Sequence, residues 1–300
     1  MLGGDFSKLR RNWAFGAAQR KEISFLRGDN VKIRYILGRA GSGKTQRIFN
    51  EVKYKLEQGG ENKLFLLVPE QFTLQTEVDL ITNNELSGIM RAEVISFERL
   101  AYKVFDEVGG LKRIDINELG KIMVLKRLFD KHSKELEVYG KTSKQQGFLS
   151  NFCALVTEFK RNDISPEALK ETVMSFEEEN IFTKKLRDIG FMYERFTEYM
   201  GGRYTDEEDK LSMLIEKIDE ARFLDGAEVW IDGFSGFSSQ EYRILEKLAL
   251  KVEKMNIALT IDTSDNKRDK ELFKPTDNTF KKIRELARRH NVKETQTLLS

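Results

Sequence analysis

The chain has one cysteine, Cys153, two histidines, His132 and His290, and three prolines. A lone cysteine excludes a disulfide framework and a cysteine-rich metal centre within these residues, and two histidines are too few for a histidine-built zinc site. The scarcity of proline argues against long extended linkers and for a helix-rich chain. No apolar run approaches the roughly 18 residues that would cross a bilayer. The start lacks the continuous apolar core of a secretory signal, so a cytoplasmic setting without membrane contact is expected. Charge of one sign is missing as well: 51 basic residues stand against 49 acidic ones, a net of +2. Attraction to a polyanion must therefore come from local patches and not from the field of the whole molecule.

Along the chain the pattern changes several times. Residues 1–30 mix glycines with scattered Arg and Lys and show no sustained period, which reads as an N-terminal extension with little order. From Val31 a β-rich run to Leu37 leads into a glycine loop and then a helical stretch to about Gln58, ended by Gly59 and Gly60. Further buried strands are expected at Lys63–Val68 and Ala92–Ser96, each followed by a helix, Thr73–Leu80 and Phe97–Val108. Strands alternating with helices imply βαβ units and a parallel sheet. Between Asn117 and Phe223 only helical patterns occur: Glu118–Lys131, Gly147–Arg161, Pro166–Ser175, Ile181–Met200 and Asp206–Ala221. Ser165 before Pro166 is a strong start signal, a side-chain cap followed by proline at the first helical position. Sheet patterns return at Ala227–Asp232 and Met255–Asp262, with a helix at Ser239–Val252 between them. The fold class expected is α/β: a parallel-sheet domain over 31–112 and 223–300, interrupted by an all-helical insertion over 113–222.

The chemistry concentrates in the glycine loop. Gly38, Arg39, Ala40, Gly41, Ser42, Gly43, Lys44 and Thr45 fit G-x-x-x-x-G-K-[ST] at every position, between a strand and a helix. Glycines let the backbone curl so that successive N–H groups converge on one phosphate, and the helix that follows adds its positive end. Lys44 would reach the β- and γ-phosphates, and the Thr45 hydroxyl would ligand Mg²⁺. The spacing therefore predicts ATP, or a related nucleotide, with Mg²⁺. A second Mg²⁺-supporting group should end another buried strand, and Val229-Trp-Ile-Asp232 has that form. Asp232 could equally be a strand-end cap. Gly233 follows it where hydrolysing helicases place a glutamate, and Gln240 and Glu241 fall in the next helix. Without that carboxylate the oriented water is not evident, so binding with slow or absent turnover is expected.

These strings together resemble a known family. The glycine loop is similar to the P-loop of superfamily 1 helicases. Leu67-Val-Pro-Glu-Gln-Phe-Thr73, Val94-Ile-Ser-Phe-Glu-Arg-Leu-Ala-Tyr102, Asp232-Gly-Phe-Ser-Gly-Phe-Ser-Ser-Gln-Glu241 and Glu158-Phe-Lys-Arg161 resemble the N-terminal part of the AddB family. Its members are the B subunits of AddAB helicase–exonucleases, which act in double-strand break repair and recombination. The resemblance implies a heterodimer with an AddA-type motor. It also implies a C-terminal nuclease domain with an iron–sulfur cluster, for which this segment holds no ligands, and a helicase-like unit that scans single-stranded DNA for a Chi sequence. The matching DNA-contact positions are Gln71, Thr73, Phe97, Arg99, Tyr102, Arg161 and Phe234. Their chemistry agrees, since aromatics stack on unpaired bases, amide and hydroxyl groups read base edges, and arginines take phosphate or guanine. Two other readings stand beside this one: an autonomous superfamily 1 ATPase motor, and a P-loop kinase with a helical lid.

Overall fold

The computed structural model describes residues 32–83, 91–110, 113–142, 145, 147–176, 178–262 and 270–299. The expected N-terminal extension, residues 1–30, lies outside them.

Strand β1 (Ile33–Gly38) is buried along its whole length, as an apolar run covered on both faces should be. Gly43, at φ 82°, turns the chain into helix α1 (Lys44–Glu57), which buries Ile48, Phe49 and Val52. Next come β2 (Leu64–Leu67), a 3₁₀ turn (Glu70–Phe72), α2 (Thr73–Asn83), β3 (Ala92–Ile95) and α3 (Phe97–Val108), whose first turn is capped by Ser96. A two-residue strand β4 (Ile114–Asp115) leads into four helices: α4 (Glu118–His132), α5 (Phe148–Arg161), α6 (Pro166–Met174) and α7 (Ile181–Met200). The Ser165 hydroxyl accepts the Ala168 N–H at 3.1 Å and Pro166 opens α6, as the start signal predicts. Strand β5 (Tyr204–Thr205), α8 (Glu207–Lys217) and two 3₁₀ turns return the chain to β6 (Glu228–Ile231), α9 (Ser239–Lys251), β7 (Lys254–Thr260), α10 (Lys270–Arg289) and β8 (Glu294–Leu298).

Six strands form one sheet in the order β3-β2-β6-β7-β1-β8, with every neighbour parallel. Gly38 pairs with Thr260 and Leu67 with Ile231, so the ends of β1, β2, β6 and β7 lie along one rim. One sheet face packs Leu67, Ile231 and Ile257 against α3, α8 and α9, while the other packs Ile36, Leu66, Trp230 and Ala258 against Ile48, Phe49 and Val52 of α1. A separate cluster among α4–α7, including Leu125, Phe129, Phe152, Met192 and Phe196, gives those helices a core of their own.

A buried polar chain ties the layers together beneath the glycine loop. Arg34 of β1 donates from Nε to Asn256 of β7 at 2.8 Å and from Nη1 to Glu51 of α1 at 3.0 Å. Glu51 also accepts the Trp230 indole N–H at 3.1 Å, and Asn256 donates to Glu228 at 3.0 Å. Burial opposes the Glu51 charge, but the Arg34 guanidinium, with Trp230 and Arg47, outweighs it and holds the carboxyl below its ordinary value.

One element differs from the sequence reading, and two lie where that reading assigns none. Strand β5 falls where only helices are expected; paired with β4 through Ile114–Tyr204 and Asp115–Thr205, it clasps the chain where it enters and leaves the helices α4–α7. Helix α10 forms despite Pro275, whose carbonyl accepts the Thr279 hydroxyl at 3.1 Å. Strand β8, Glu-Thr-Gln-Thr-Leu, carries no apolar run because it sits at the sheet edge, where ladder bonds to β1 suffice.

Candidate nucleotide and nucleic-acid site

The glycines of the loop are required by close contact at one position and by backbone conformation at two others. A Cβ on Gly38 would stand 2.4 Å from Ser42 Oγ and 2.8 Å from the Leu299 carbonyl. Gly41 and Gly43 take φ of 80° and 82°, the left-handed region open to glycine. Lys44, buried at the start of α1, folds its ammonium back across the loop and donates to the carbonyls of Gly38 at 2.9 Å and Arg39 at 2.7 Å. Burial pushes the Lys44 ammonium below its ordinary pKa, and the Asp232 carboxylate offsets part of that shift. The Ser42 hydroxyl is buried without a protein partner, an orphan donor in the loop where an anion would sit. Arg39, at the loop's outer edge, forms a two-point ion pair with Asp262, just past β7, at 3.1 and 3.0 Å.

Thr45 Oγ1 donates to Asp232 Oδ2 at 2.6 Å, so the loop's hydroxyl and the carboxylate beyond β6 share one point. Hydroxyl and carboxylate oxygens are the donor types Mg²⁺ takes, completed by water and phosphate. This donor set and the orphan Ser42 hydroxyl fit a Mg²⁺–nucleotide. Gly233 donates its N–H to Asp232 Oδ1 at 2.9 Å, and its backbone geometry disfavours a side chain at this position. Its φ is 82°, and a Cβ would come 3.2 Å from Pro69 Cδ. Farther on, Glu241 is engaged by the backbone of Ser238 at 2.7 Å as part of the α9 capping box, and Gln240 is buried.

The residues read as DNA contacts fall into three groups. Gln71 is exposed on the 3₁₀ turn after β2, next to Glu70, which lies 3.6 Å from Arg99 Nε on α3. Thr73 is buried and donates to the Glu70 carbonyl at 2.9 Å. Phe97 is buried too, edge-on to Phe234 with centroids 5.6 Å apart, while Phe234 is half-buried beside Phe237. Tyr102 and Arg161 meet in a cavity of about 730 Å³ between α3, α4, α5 and α8. There the Tyr102 hydroxyl donates to Asp115 at 2.9 Å, and the Lys210 ammonium both bonds that hydroxyl and stands 4.6 Å from the ring centroid. Arg161 donates from Nε to Glu208 at 3.2 Å.

Sequence reasoning missed the ion pairs in and beside this cavity. Lys121 pairs with Glu208 at 3.2 Å, and Lys160 pairs with Asp206 and Asp209 at 2.7 and 2.8 Å. Burial works against the Lys121 and Lys160 charges, but the neighbouring Asp206, with Glu208 beside Lys121 and Asp209 beside Lys160, raises both pKa values. In the sequence, Asp206 to Lys210 is a charged run at a helix start, a pattern that ordinarily faces water.

The model of the family described as "ADDB, N-terminal" matches residues 35–300. The chain belongs to this family. A relative from Alkaliphilus metalliredigens (strain QYMF), named as the B subunit of an ATP-dependent helicase/deoxyribonuclease, is 49% identical over 88% of this chain and 23% of its own length. Proteins of the same name from Alkaliphilus oremlandii (strain OhILAs) and Thermoanaerobacter sp. (strain X514) are 47% and 42% identical, again over 23% of their lengths. The chain thus spans under a quarter of the curated relatives it matches, and the described site belongs to the N-terminal portion of the ADDB family. Among the described residues no helix is long and apolar enough to cross a membrane, and no cluster of three or more His, Cys, Asp or Glu side chains could hold a metal ion.

Proposed function

We propose that this chain is the helicase-like N-terminal part of the B component of an ATP-dependent helicase–deoxyribonuclease, built as a P-loop α/β domain with helices α4–α7 inserted. It binds ATP with Mg²⁺ at Gly38–Thr45, turns it over slowly or not at all, and holds single-stranded DNA, as a reader of Chi, beside an AddA-type motor partner. The observation that carries the nucleotide reading is the 2.6 Å bond between Thr45 and Asp232, which brings both Mg²⁺-type oxygens to the mouth of the loop.

In this reading Lys44 leaves the carbonyls of Gly38 and Arg39 and turns to the phosphates, which replace two neutral acceptors with a charged one. Mg²⁺, held by Thr45 and Asp232, would neutralise phosphate charge. Gly233 offers no group to orient water, so the site is a holder of nucleotide more than a consumer of it. Gln71, Arg99 and Phe234 present their exposed edges along the strand-end rim, where ligands of open parallel sheets bind. Thr73 and Phe97 shape that rim from below, and Tyr102 and Arg161 meet the strand in the cavity.

The test is nucleotide and oligonucleotide binding by the full chain, with phosphate release followed in the same samples. Binding of Mg²⁺–ATP and of a single-stranded oligonucleotide, with little phosphate release, is the expected result. Robust DNA-stimulated hydrolysis would overturn the slow-turnover reading in favour of an autonomous motor. ATP binding with no affinity for single strands would point to the kinase reading.

A further inference from the structure

Arg161 is a half-exposed arginine at the end of α5, in a cavity lined by more carboxylates than cations: Glu98, Asp115, Glu118, Glu158, Glu207 and Glu208 surround Lys121, Lys210 and Arg161. Such a lining does not draw a phosphate chain by net charge. What the cavity offers a nucleotide depends on how individual donors are aimed. Lys121 and Lys210 are buried and spent on carboxylates, which leaves Arg161, 42% exposed, as the lining cation with the most reach toward solvent.

We infer that Glu208 is the positioning residue that sets the direction in which Arg161 meets a single DNA strand; this rests on the reading of Arg161 as a DNA contact. Glu208 is 2% exposed in the first turn of α8 and is held at both carboxylate oxygens. Its Oε1 accepts Arg161 Nε at 3.2 Å, and its Oε2 accepts Lys121 Nζ at 3.2 Å. Its backbone carbonyl accepts Gln240 Nε2 at 3.1 Å. Lys121 is fixed in turn by Thr157 at 3.3 Å and Asp206 at 3.6 Å, so the carboxylate cannot follow the arginine if the arginine moves.

A guanidinium is flat and its donors form a rigid fork. Held at Nε, it is limited in the ways it can turn, and the two terminal nitrogens form the edge left for a ligand. Glu158 is the other carboxylate near that edge, at 4.0 Å from Nη1, beyond hydrogen-bond reach. An ungripped arginine carries rotamer entropy that binding would have to overcome. Glu208 removes much of that cost before the strand arrives, as a buried partner does for an active-site side chain.

The opposite role is also physical: Glu208 could compete with DNA for Arg161, and the experiment separates the two. Oligonucleotide affinity of the full chain is measured for wild type, Arg161→Ala, Glu208→Gln, Glu208→Asp and the double variant Glu208→Gln/Arg161→Ala. Positioning predicts that Glu208→Gln and Glu208→Asp each weaken binding by about tenfold, close to Arg161→Ala, and that the double variant is no weaker than Arg161→Ala alone. The aspartate keeps the negative charge in the cluster while drawing the carboxylate back from Arg161, so a loss shared by both variants does not come from removing the charge alone. Exchange of the Arg161 Nε proton, followed by nitrogen-15 NMR, is expected to be slow in wild type and fast in both Glu208 variants. Binding by Glu208→Gln that equals or exceeds wild type, or losses that add in the double variant, would overturn the inference while leaving the DNA reading intact. Unchanged binding by Arg161→Ala would overturn the DNA reading and the inference with it.

Discussion

Thr45 Oγ1 and Asp232 Oδ2 lie 2.6 Å apart although β7 separates their strands, β1 and β6, in the sheet. In the proposed reading the pair would hold a divalent ion that bridges protein and phosphate. Asp232→Asn is expected to weaken Mg²⁺–ATP binding by about tenfold, a loss near 1.4 kcal/mol, and to change binding in EDTA much less. Titration of a fluorescent ATP analogue with and without Mg²⁺ checks this. Equal losses in both conditions would mean that the carboxylate supports the loop and not the ion.

Lys44 carries its charge in a site whose burial lowers its pKa from the ordinary 10.5. A cation with a lowered pKa becomes neutral sooner as pH rises. ATP affinity should therefore fall as pH climbs toward 10.5, earlier than an exposed lysine would allow, and Lys44→Ala should be weak and flat across the same range. Affinity measured from neutral pH upward decides the point.

A glutamate at position 233 would be strained. The left-handed backbone there costs a side-chain-bearing residue about 1–2 kcal/mol, and Pro69 crowds the Cβ position as well. Gly233→Glu should lower the melting temperature and leave phosphate release at the wild-type level. A gain in hydrolysis would show that the missing carboxylate alone limits turnover.

Acid should loosen the α/β layers through Glu51. Its folded pKa lies below the ordinary 4.5, so the stability it adds is complete above that value and lost as pH falls through the lower, folded one. Wild type should lose melting temperature below pH 4.5. Glu51→Gln should melt lower than wild type at neutral pH and show a shallower decline in acid. Parallel acid profiles of the two proteins would remove Glu51 from the account.

Tyr102 offers a hydroxyl bonded to Asp115 and Lys210 and a ring that carries the Lys210 ammonium near one face, and in the proposed reading the ring does the stacking. Tyr102→Phe gives up the bonds with Asp115 and Lys210 and should keep most single-strand affinity. Tyr102→Ala should lose about 1–3 kcal/mol, the usual value of one stacked base. Comparing the two variants in oligonucleotide titrations separates the roles, and equal losses would assign the residue to cavity structure instead.

What could be read from sequence follows from how local each signal is. Strand, glycine loop and helix at Ile33–Glu57 occupy one stretch, and every residue of the motif reports on its neighbours. Ser165-Pro166 is similarly self-contained. Strand β8 was illegible because an edge strand needs backbone bonds but no apolar face, and α10 was obscured by Pro275 near its start. The pattern also could not show that Thr73 and Phe97 turn inward while Gln71 and Arg99 remain accessible, since all four sit at strand–helix junctions. The cavity was least visible of all. Its ion pairs join residues far apart in sequence, 87 positions for Lys121 and Glu208, and no local rule marks a charged helix start as buried.

The strand order bears on how the chain is made. Strand β1 has as its partners β7, which begins at Lys254, and β8, which begins at Glu294. A growing polypeptide must therefore carry β1 without those sheet partners until Lys254 and the residues after it have been made, while α4–α7 can already gather around their own core. The glycine loop therefore takes its working shape only after β7, far along the sequence from it, has joined the sheet.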